Sequence, residues 1–203
     1  MTDRLGRRAR RRSPIDPDRA DLTLLALRAR DGDQIAEAAF IRRTSPDVTR
    51  YCAHMVGADH AEDVAQATYI RALRSLRSFR GESSAKTWLL GVARHACLDE
   101  LRSRGRRRRL VERLVAEPVA ESEPAGHPSD VAHAIEAIEG LEPERREAFV
   151  LTQILGHSYE EAAAIVGCPV GTIRSRVARG RREVLADLDR TDGLSGLEQQ
   201  TGT

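Results

Sequence analysis

Ser158-Tyr159-Glu160-Glu161-Ala162-Ala163-Ala164-Ile165-Val166-Gly167-Cys168-Pro169-Val170-Gly171-Thr172-Ile173-Arg174-Ser175-Arg176-Val177-Ala178-Arg179-Gly180-Arg181-Arg182 is the stretch that decides the fold. Ser158 followed three residues later by Glu161 is a capping box, which opens a helix carrying Tyr159, Ala162, Ala163, Ile165 and Val166. Gly167 ends that helix, and Cys168-Pro169 restarts the chain as a longer one running to about Leu188. A short helix, a glycine turn and a long helix are the layout of a DNA-binding helix-turn-helix. At about 100° per residue, Ile173, Val177, Gly180 and Val184 share one seam, with Ser175, Arg179 and Arg182 nearly opposite and Thr172, Arg174 and Arg176 at the flanks. Packing of the seam leaves the arginine face outside. Between Gly171 and Arg182 stand five arginines and no acid, whereas Val131 to Glu161 is strongly acidic. The bland alternative is a solvated charged face, but the turn, the apolar seam and the unopposed arginines coincide, and they favour DNA.

Upstream of this unit, Ile135, Ile138 and Leu141 mark one helix, and Glu142-Pro143 starts another, with Ala148, Phe149, Leu151 and Leu155 inward. Further upstream lies a second set of helical periodicities. Leu22, Leu25, Ala26 and Ala29 step by three and four. Asp31-Gly32-Asp33 breaks that helix, and a second runs from about Gln34 to Arg43. Ser45-Pro46 reads as the start of a separate helix through Met55, ended by Gly57. Another spans about 61–76, with Val64, Ala67, Thr68, Leu73 and Leu76 inward. A non-helical loop, Phe79 to Lys86, opens into a helix from Thr87 to about Arg104. Its apolar stripe is wide, so it is expected to be the best-buried element of a bundle.

The expected architecture is all-α. An Arg-rich arm occupies residues 1–19, a helical domain 20–110, a flexible linker 111–130, a helix-turn-helix domain 131–190 and an unstructured tail 191–203. The linker assignment follows from Pro118, Pro124, Gly126 and Pro128 among few large apolar residues.

Composition narrows the function classes. The 203 residues hold 33 Lys+Arg and 31 Asp+Glu, a net charge of +2, and only Lys86 among the basic residues is lysine. Almost every basic contact is therefore a planar, multidonor guanidinium, and such a skew points to a GC-rich coding genome. Aromatic residues are 3%, which is not a β-sandwich or barrel composition. No apolar run approaches a membrane span, and the basic N-terminus lacks the apolar stretch of a secretory signal, so a cytoplasmic location without membrane is expected. Cys52, Cys97 and Cys168 are far apart in sequence and form no CxxC pair, which indicates neither a disulfide framework nor a zinc site and reads as core or helix-end filler. The six histidines, His54, His60, His95, His127, His133 and His157, have no metal-ligand spacing, and no Gly-rich phosphate loop follows a strand. Catalysis, metal and cofactor are not expected.

Asp63-Val64-Ala65-Gln66-Ala67-Thr68-Tyr69-Ile70-Arg71-Ala72 resembles region 2.2, the core-polymerase-binding helix of bacterial sigma factors. Phe79 to Trp88, with Leu89-Leu90-Gly91-Val92-Ala93-Arg94-His95, resembles regions 2.3 and 2.4, and Gly171 to Arg176 with Arg179 and Arg181 resembles region 4.2. Both sets in order across a linker, over about residues 20–185, resemble a sigma-70 family sigma factor of the extracytoplasmic function (ECF, group IV) type. One departure is Ala67, where members commonly carry Glu.

That resemblance implies transcription initiation with core RNA polymerase. The first domain is expected on the β′ clamp helices and the −10 element, the second on the −35 element and the β flap. It implies polymerase contacts at Asp63, Gln66, Tyr69 and Arg71, −10 contacts at Arg80, Ser83, Ser84, Lys86, Thr87, Trp88, Arg94, His95 and Arg102, and −35 contacts at Thr172, Arg174, Ser175, Arg176, Arg179 and Arg182. Trp88 also reads as a core anchor, and His95 as a surface or capping residue. Arg7–Arg12 and Arg106–Arg109 add phosphate attraction or only solubility. Members are often held by an anti-sigma factor that covers both domains. The competing reading is a stand-alone helix-turn-helix regulator that does not bind core polymerase.

Overall fold

The computed structural model describes residues 16–114 and 130–198, with side-chain surroundings over 16–110 and 131–190. The arginine arm before residue 16, the linker 115–129 and the last five residues lie outside the described residues. Every regular element described is helical: α1 Leu22–Arg30, α2 Gln34–Val56, α3 Ala58–Ser75, α4 Ala85–Leu114, α5 Asp130–Glu139, α6 Pro143–Phe149, α7 Tyr159–Val166 and α8 Val170–Glu198.

Short polar side chains set the helix starts. Asp21 caps α1 by accepting from the Thr23 and Leu24 amides at 2.8 and 3.1 Å. Asp33 does the same for α2 through Ile35 and Ala36. Ser84 takes the Thr87 amide at 3.1 Å at the mouth of α4. The capping box before α7 is formed as expected: the Glu161 amide donates to Ser158 Oγ at 3.1 Å, and the Ser158 amide donates to Glu161 at 3.0 Å. These caps satisfy amides that the first helical turn otherwise leaves without partners.

Ser45-Pro46 does not start a helix. Pro46 sits inside the continuous α2. A prolyl ring in a helix removes one hydrogen bond and costs about 3 kcal/mol. The buried residues before it (Ala39, Phe40, Thr44) and after it (Val48, Tyr51, Cys52, Met55) line one face of a single rod. Each buried large side chain contributes about 1.5–3 kcal/mol, so keeping the rod whole outweighs the break. The Thr44 hydroxyl ties this segment down through Phe40 O at 2.7 Å and Tyr69 Oη at 2.8 Å.

α4 and α8 outrun their expected ends, to Leu114 and Glu198. Neither carries proline inside it, and single glycines cost only about 1 kcal/mol each, so nothing stops either helix where the charge or glycine content rises. Ile135 of α5 is exposed, while Ile138 and Leu141 are buried.

α1 to α4 form the first bundle, with Leu25, Phe40, Tyr51, Leu89 and Leu90 at its centre. Leu89, Leu90, Ala93, Ala96 and Cys97 of α4 are at most 3% exposed, but α4 is not the best-buried element: beyond Cys97 it runs out of the bundle and is intermediate or exposed, whereas α2 is buried along its whole length. α5 to α8 form the second, around Leu141, Phe149, Val150, Leu151, Ile165 and Ile173. A flexible linker joins the two domains in the expected architecture. In the structure the two bundles touch, with α7 on α4 and α6 on α2. Between α6 and α7, Val150–Ile154 is a π-helical turn closed by the Leu155 amide on Val150 O at 2.9 Å. Such turns insert one residue and re-aim the chain beyond them.

His157 lies after this turn, 6% exposed, with Nδ1 3.4 Å from Glu161 and Nε2 without a partner. Burial, then the Lys86 ammonium, push its pKa below the ordinary 6.5, against the pull of Glu161. The folded state therefore binds the proton less well than the unfolded chain. The stability from neutral His157 is complete above 6.5 and is lost as pH falls through the folded value. His54 shifts in the same direction, also chiefly by burial. Thermal unfolding is expected to move to lower temperature between about pH 7 and about pH 5, and His157→Gln should flatten that dependence in circular-dichroism melts. An unchanged slope in the variant contradicts the assignment.

Candidate nucleic-acid interface

The seam of α8 is buried as its spacing requires: Ile173 is 0%, Val177 2% and Val184 8% exposed. Gly180 completes it. A Cβ there would stand 3.4 Å from Leu141 Cδ1 and 3.6 Å from Phe149 Cδ2, so the helix lies against α5–α6 with little spare room. On the opposite side Arg174, Ser175, Arg179 and Arg182 are exposed. Thr172 and Arg176 are half-buried at the flanks.

The basic residues of α8 divide into two roles. Arg176 ion-pairs with Glu144 of α6, and Arg181 donates to Gln153 Oε1 at 2.6 Å. Arg145 of α6 meets Glu183 of α8 at 2.6 Å. These contacts fix the long helix on its support. Arg174, Arg179 and Arg182 project from it. Such a rigid helix with outward guanidinium forks suits the major groove and its flanking phosphates.

In the first bundle, the loop before α4 carries the other expected DNA contacts. Phe79 is buried and Trp88 half-buried, with ring centroids 5.0 Å apart at 41°. Together with Arg80, Glu82 and Ser83 they line a surface groove. Trp88 is thus anchored on Phe79 and also lines the groove. Arg80, Ser83 and Ser84 are exposed. Thr87 is 7% exposed, and its hydroxyl is 2.7 Å from Ser84 Oγ, so it works inside the cap.

Lys86 is bound to Asp47 at 2.7 Å and reaches Leu155 O of the second bundle at 3.5 Å. Arg94 is bound to Glu147 of the second bundle at 2.8 Å. His95 is exposed, with Nδ1 2.7 Å from Gly91 O, and Arg102 is exposed 3.6 Å from Asp99.

On α3, Asp63 and Gln66 are exposed and share a shallow groove with Ile41, Thr49 and Tyr69. Tyr69 is held by Thr44, and burial pushes its phenol up to about 12, so it stays a neutral donor. Arg71 is exposed and paired with Asp99 of α4 at 2.7 Å.

Sequence reasoning passed over Glu147. It is 5% exposed, and one carboxylate oxygen accepts from Tyr51 Oη at 2.7 Å and from Arg94 Nε at 2.8 Å. The available signal was its helical phase: Val150 and Leu151, three and four residues on, are fully buried, which places Glu147 on the same inward face. Cys52 and Cys97 are both buried in the neighbouring core with sulfurs 3.8 Å apart, and both are free thiols. The hydrogen bond to Cys52, then burial, raise the Cys97 thiol, which fits filler rather than reactivity. Among the described residues no His, Cys, Asp and Glu cluster fit for a metal occurs, and no helix is long and apolar enough to cross a membrane.

Comparison with known proteins gives two family matches: Sigma-70 region 2 over residues 40–107 and Sigma-70, region 4 over residues 134–184. The chain is 42% identical over 176 residues to the probable RNA polymerase sigma-C factor of Mycobacterium bovis, covering 86% of this chain and 95% of that one. It is 34% identical over 173 residues to the ECF RNA polymerase sigma-E factor of Escherichia coli, covering 79% and 91%. The sigma factor RpoE of Bartonella quintana, solved with the anti-sigma factor NepR, aligns with a TM-score of 0.63 at 32% identity over 73% of this chain and 94% of that chain. CnrH, solved with the cytosolic domain of CnrY, aligns with a TM-score of 0.64 at 25% identity over 86% and 99%.

The seam makes a direct prediction. Gly180→Val adds branched bulk against Leu141 and Phe149, and is expected to cost about 1–3 kcal/mol through overpacking. Denaturant unfolding checks this, and a variant as stable as the parent contradicts the close packing of α8.

Proposed function

The chain belongs to the sigma-70 family of RNA polymerase sigma factors, in its extracytoplasmic function branch, and on that premise we propose how its residues divide the work of promoter recognition. The observation that carries the reading is the split of α8 into a buried seam and an exposed arginine face, set after a first bundle whose loop groove is edged by Trp88. Arg174, Ser175, Arg179 and Arg182 read the −35 element, with Thr172 and Arg176 at the edges of the contact. Two-donor guanidinium forks suit guanine edges and phosphates alike.

The −10 element lies across the start of α4. Arg80, Ser83 and Ser84 line the entrance, and Trp88 borders the groove that takes an unstacked base. Unstacking costs a few kcal/mol, which aromatic and polar contacts offset. Lys86, Arg94, His95 and Arg102 then follow the duplex backbone along α4, and Thr87 holds the loop through its cap. Asp63, Gln66 and Tyr69 present the groove on α3 to the β′ clamp helices, and Arg71 braces α3 on α4. The second bundle engages the β flap.

The protein acts without catalysis of its own, in the cytoplasm, where polymerase and promoter are found. The solved relatives RpoE and CnrH are each bound to a protein partner, NepR and CnrY. An anti-sigma protein that grips both bundles is the corresponding proposal for this chain.

Run-off transcription with purified core polymerase tests the reading. Promoter-specific initiation that depends on the added chain is expected. Arg179→Ala should lower −35-dependent initiation by about 5- to 150-fold, the equivalent of about 1–3 kcal/mol for one base-reading fork. Failure to bind core polymerase, or DNase protection by the chain alone at a palindromic site, contradicts it and points to a stand-alone regulator.

A further inference from the structure

The loop that opens α4 is pinned at both ends to α1. At its start, Arg30 Nη1 donates to Phe79 O at 3.1 Å. At its end, the Ala85 amide donates to Thr23 Oγ1 at 3.2 Å. Between the two anchors Gly81 turns with φ +75°, and a Cβ there would stand 3.6 Å from Leu27 Cδ1 and 3.7 Å from Thr23 Cγ2. A left-handed turn without a side chain lets the loop backbone lie on the helix. Phe79 and Ala85 are buried, whereas Arg80, Glu82, Ser83 and Ser84 between them are exposed. The anchors are themselves held. Leu25 and Ala26 set α1 into the bundle core, and Nε of the Arg30 guanidinium donates to Asp31 at 3.0 Å. α1 precedes the residues matched to Sigma-70 region 2, which begin at residue 40.

We propose that Arg30 and Thr23 of α1 are positioning residues for promoter opening: they hold the Phe79–Ala85 loop in the shape that receives the unstacked −10 base, without touching DNA themselves. The inference rests on the −10 role proposed above for this loop. Phe79 is the link. Its carbonyl is held by Arg30, and its ring packs against Trp88 with centroids 5.0 Å apart. Arg30 thereby fixes the loop relative to the Trp88 ring that edges the groove. Thr23 fixes the other end, next to Ser84, whose hydroxyl takes the Thr87 amide. Each loop residue ordered on binding costs backbone entropy, and a loop already ordered in the free protein does not draw that cost from DNA affinity. Telling one base from another also requires contacts kept to a fraction of an ångström, which a loop tied at one end only does not supply.

Fork-junction DNA tests this, with the −10 non-template strand unpaired and each of the four bases placed at its positions in turn. Binding is measured to the holoenzyme formed from the full chain and core polymerase. Thr23→Val and Arg30→Met should each shrink the parent's preference between the best and worst base by about three- to tenfold, as for loss of a hydrogen bond that sets the loop. Thr23→Ser, which keeps the acceptor, should restore the preference. Affinity for core polymerase and for fully duplex promoter DNA should stay at the parent's level. An equal loss for all four bases, with the preference kept, is the mark of a weakened bundle or of a direct phosphate contact, and it overturns the positioning role. If Thr23→Val fails to fold by circular dichroism, Arg30→Met decides, with Arg30→Lys as the variant that keeps a donor for Phe79 O. The double variant Arg80→Ala/Ser83→Ala separates this proposal from the −10 reading. A preference lost there but unchanged in the α1 variants overturns the positioning role and keeps the loop on the −10 element. A preference unchanged in all of them overturns both.

Discussion

A buried carboxylate must find donors, and in this chain Glu147 finds them across the boundary between its two helical bundles. The constraint is severe. Stripping water from an ionised carboxyl costs several kcal/mol, and only well-placed partners offset it. Tyr51 sits at the centre of the first core with no exposure, and Arg94 lies on α4 beside the buried Ala93. The position of the second bundle is therefore tied to the internal packing of the first, through α2 and α4 together. The π-helical turn after α6 and the capping box of α7 continue the same junction.

The recognition helix depends on a different economy. Its seam of Ile173, Val177, Gly180 and Val184 is consumed by packing, so its orientation leaves no freedom in which face reaches solvent. Glu144 on α6 neutralises Arg176 at the flank and leaves Arg174, Arg179 and Arg182 outward. The near-neutral total of 33 basic and 31 acidic residues is the sum of such local arrangements. One helix face retains its basic character within that balance.

Periodicity and capping are local, and they account for the features legible in the amino-acid order. The seam of α8, the Ser158–Glu161 box and the inward stripe of α4 were all legible, because each depends on residues within a few turns. The unbroken α2 was not legible. Pro46 is a strong local stop signal, and only the burial of both halves against α1, α3 and α4 overrules it. The half-burial of Trp88 depends on its packing against Phe79, and the capping role of Thr87 on the turn before α4. Glu147 shows the limit most clearly. Its helical phase marks it as inward, but its partners stand 96 and 53 residues away, and no local rule names them.

The interaction energy between Tyr51 and Glu147 is the most direct measure of whether this junction exists in the folded chain. A double-mutant cycle with Tyr51→Phe, Glu147→Gln and the pair, read by denaturant unfolding of the full chain, isolates it. A coupling of about 1–3 kcal/mol is the result expected for a buried hydrogen bond to a charged acceptor. Additive effects of the two substitutions would contradict the account, because they would mean that the bundles do not meet through this carboxylate.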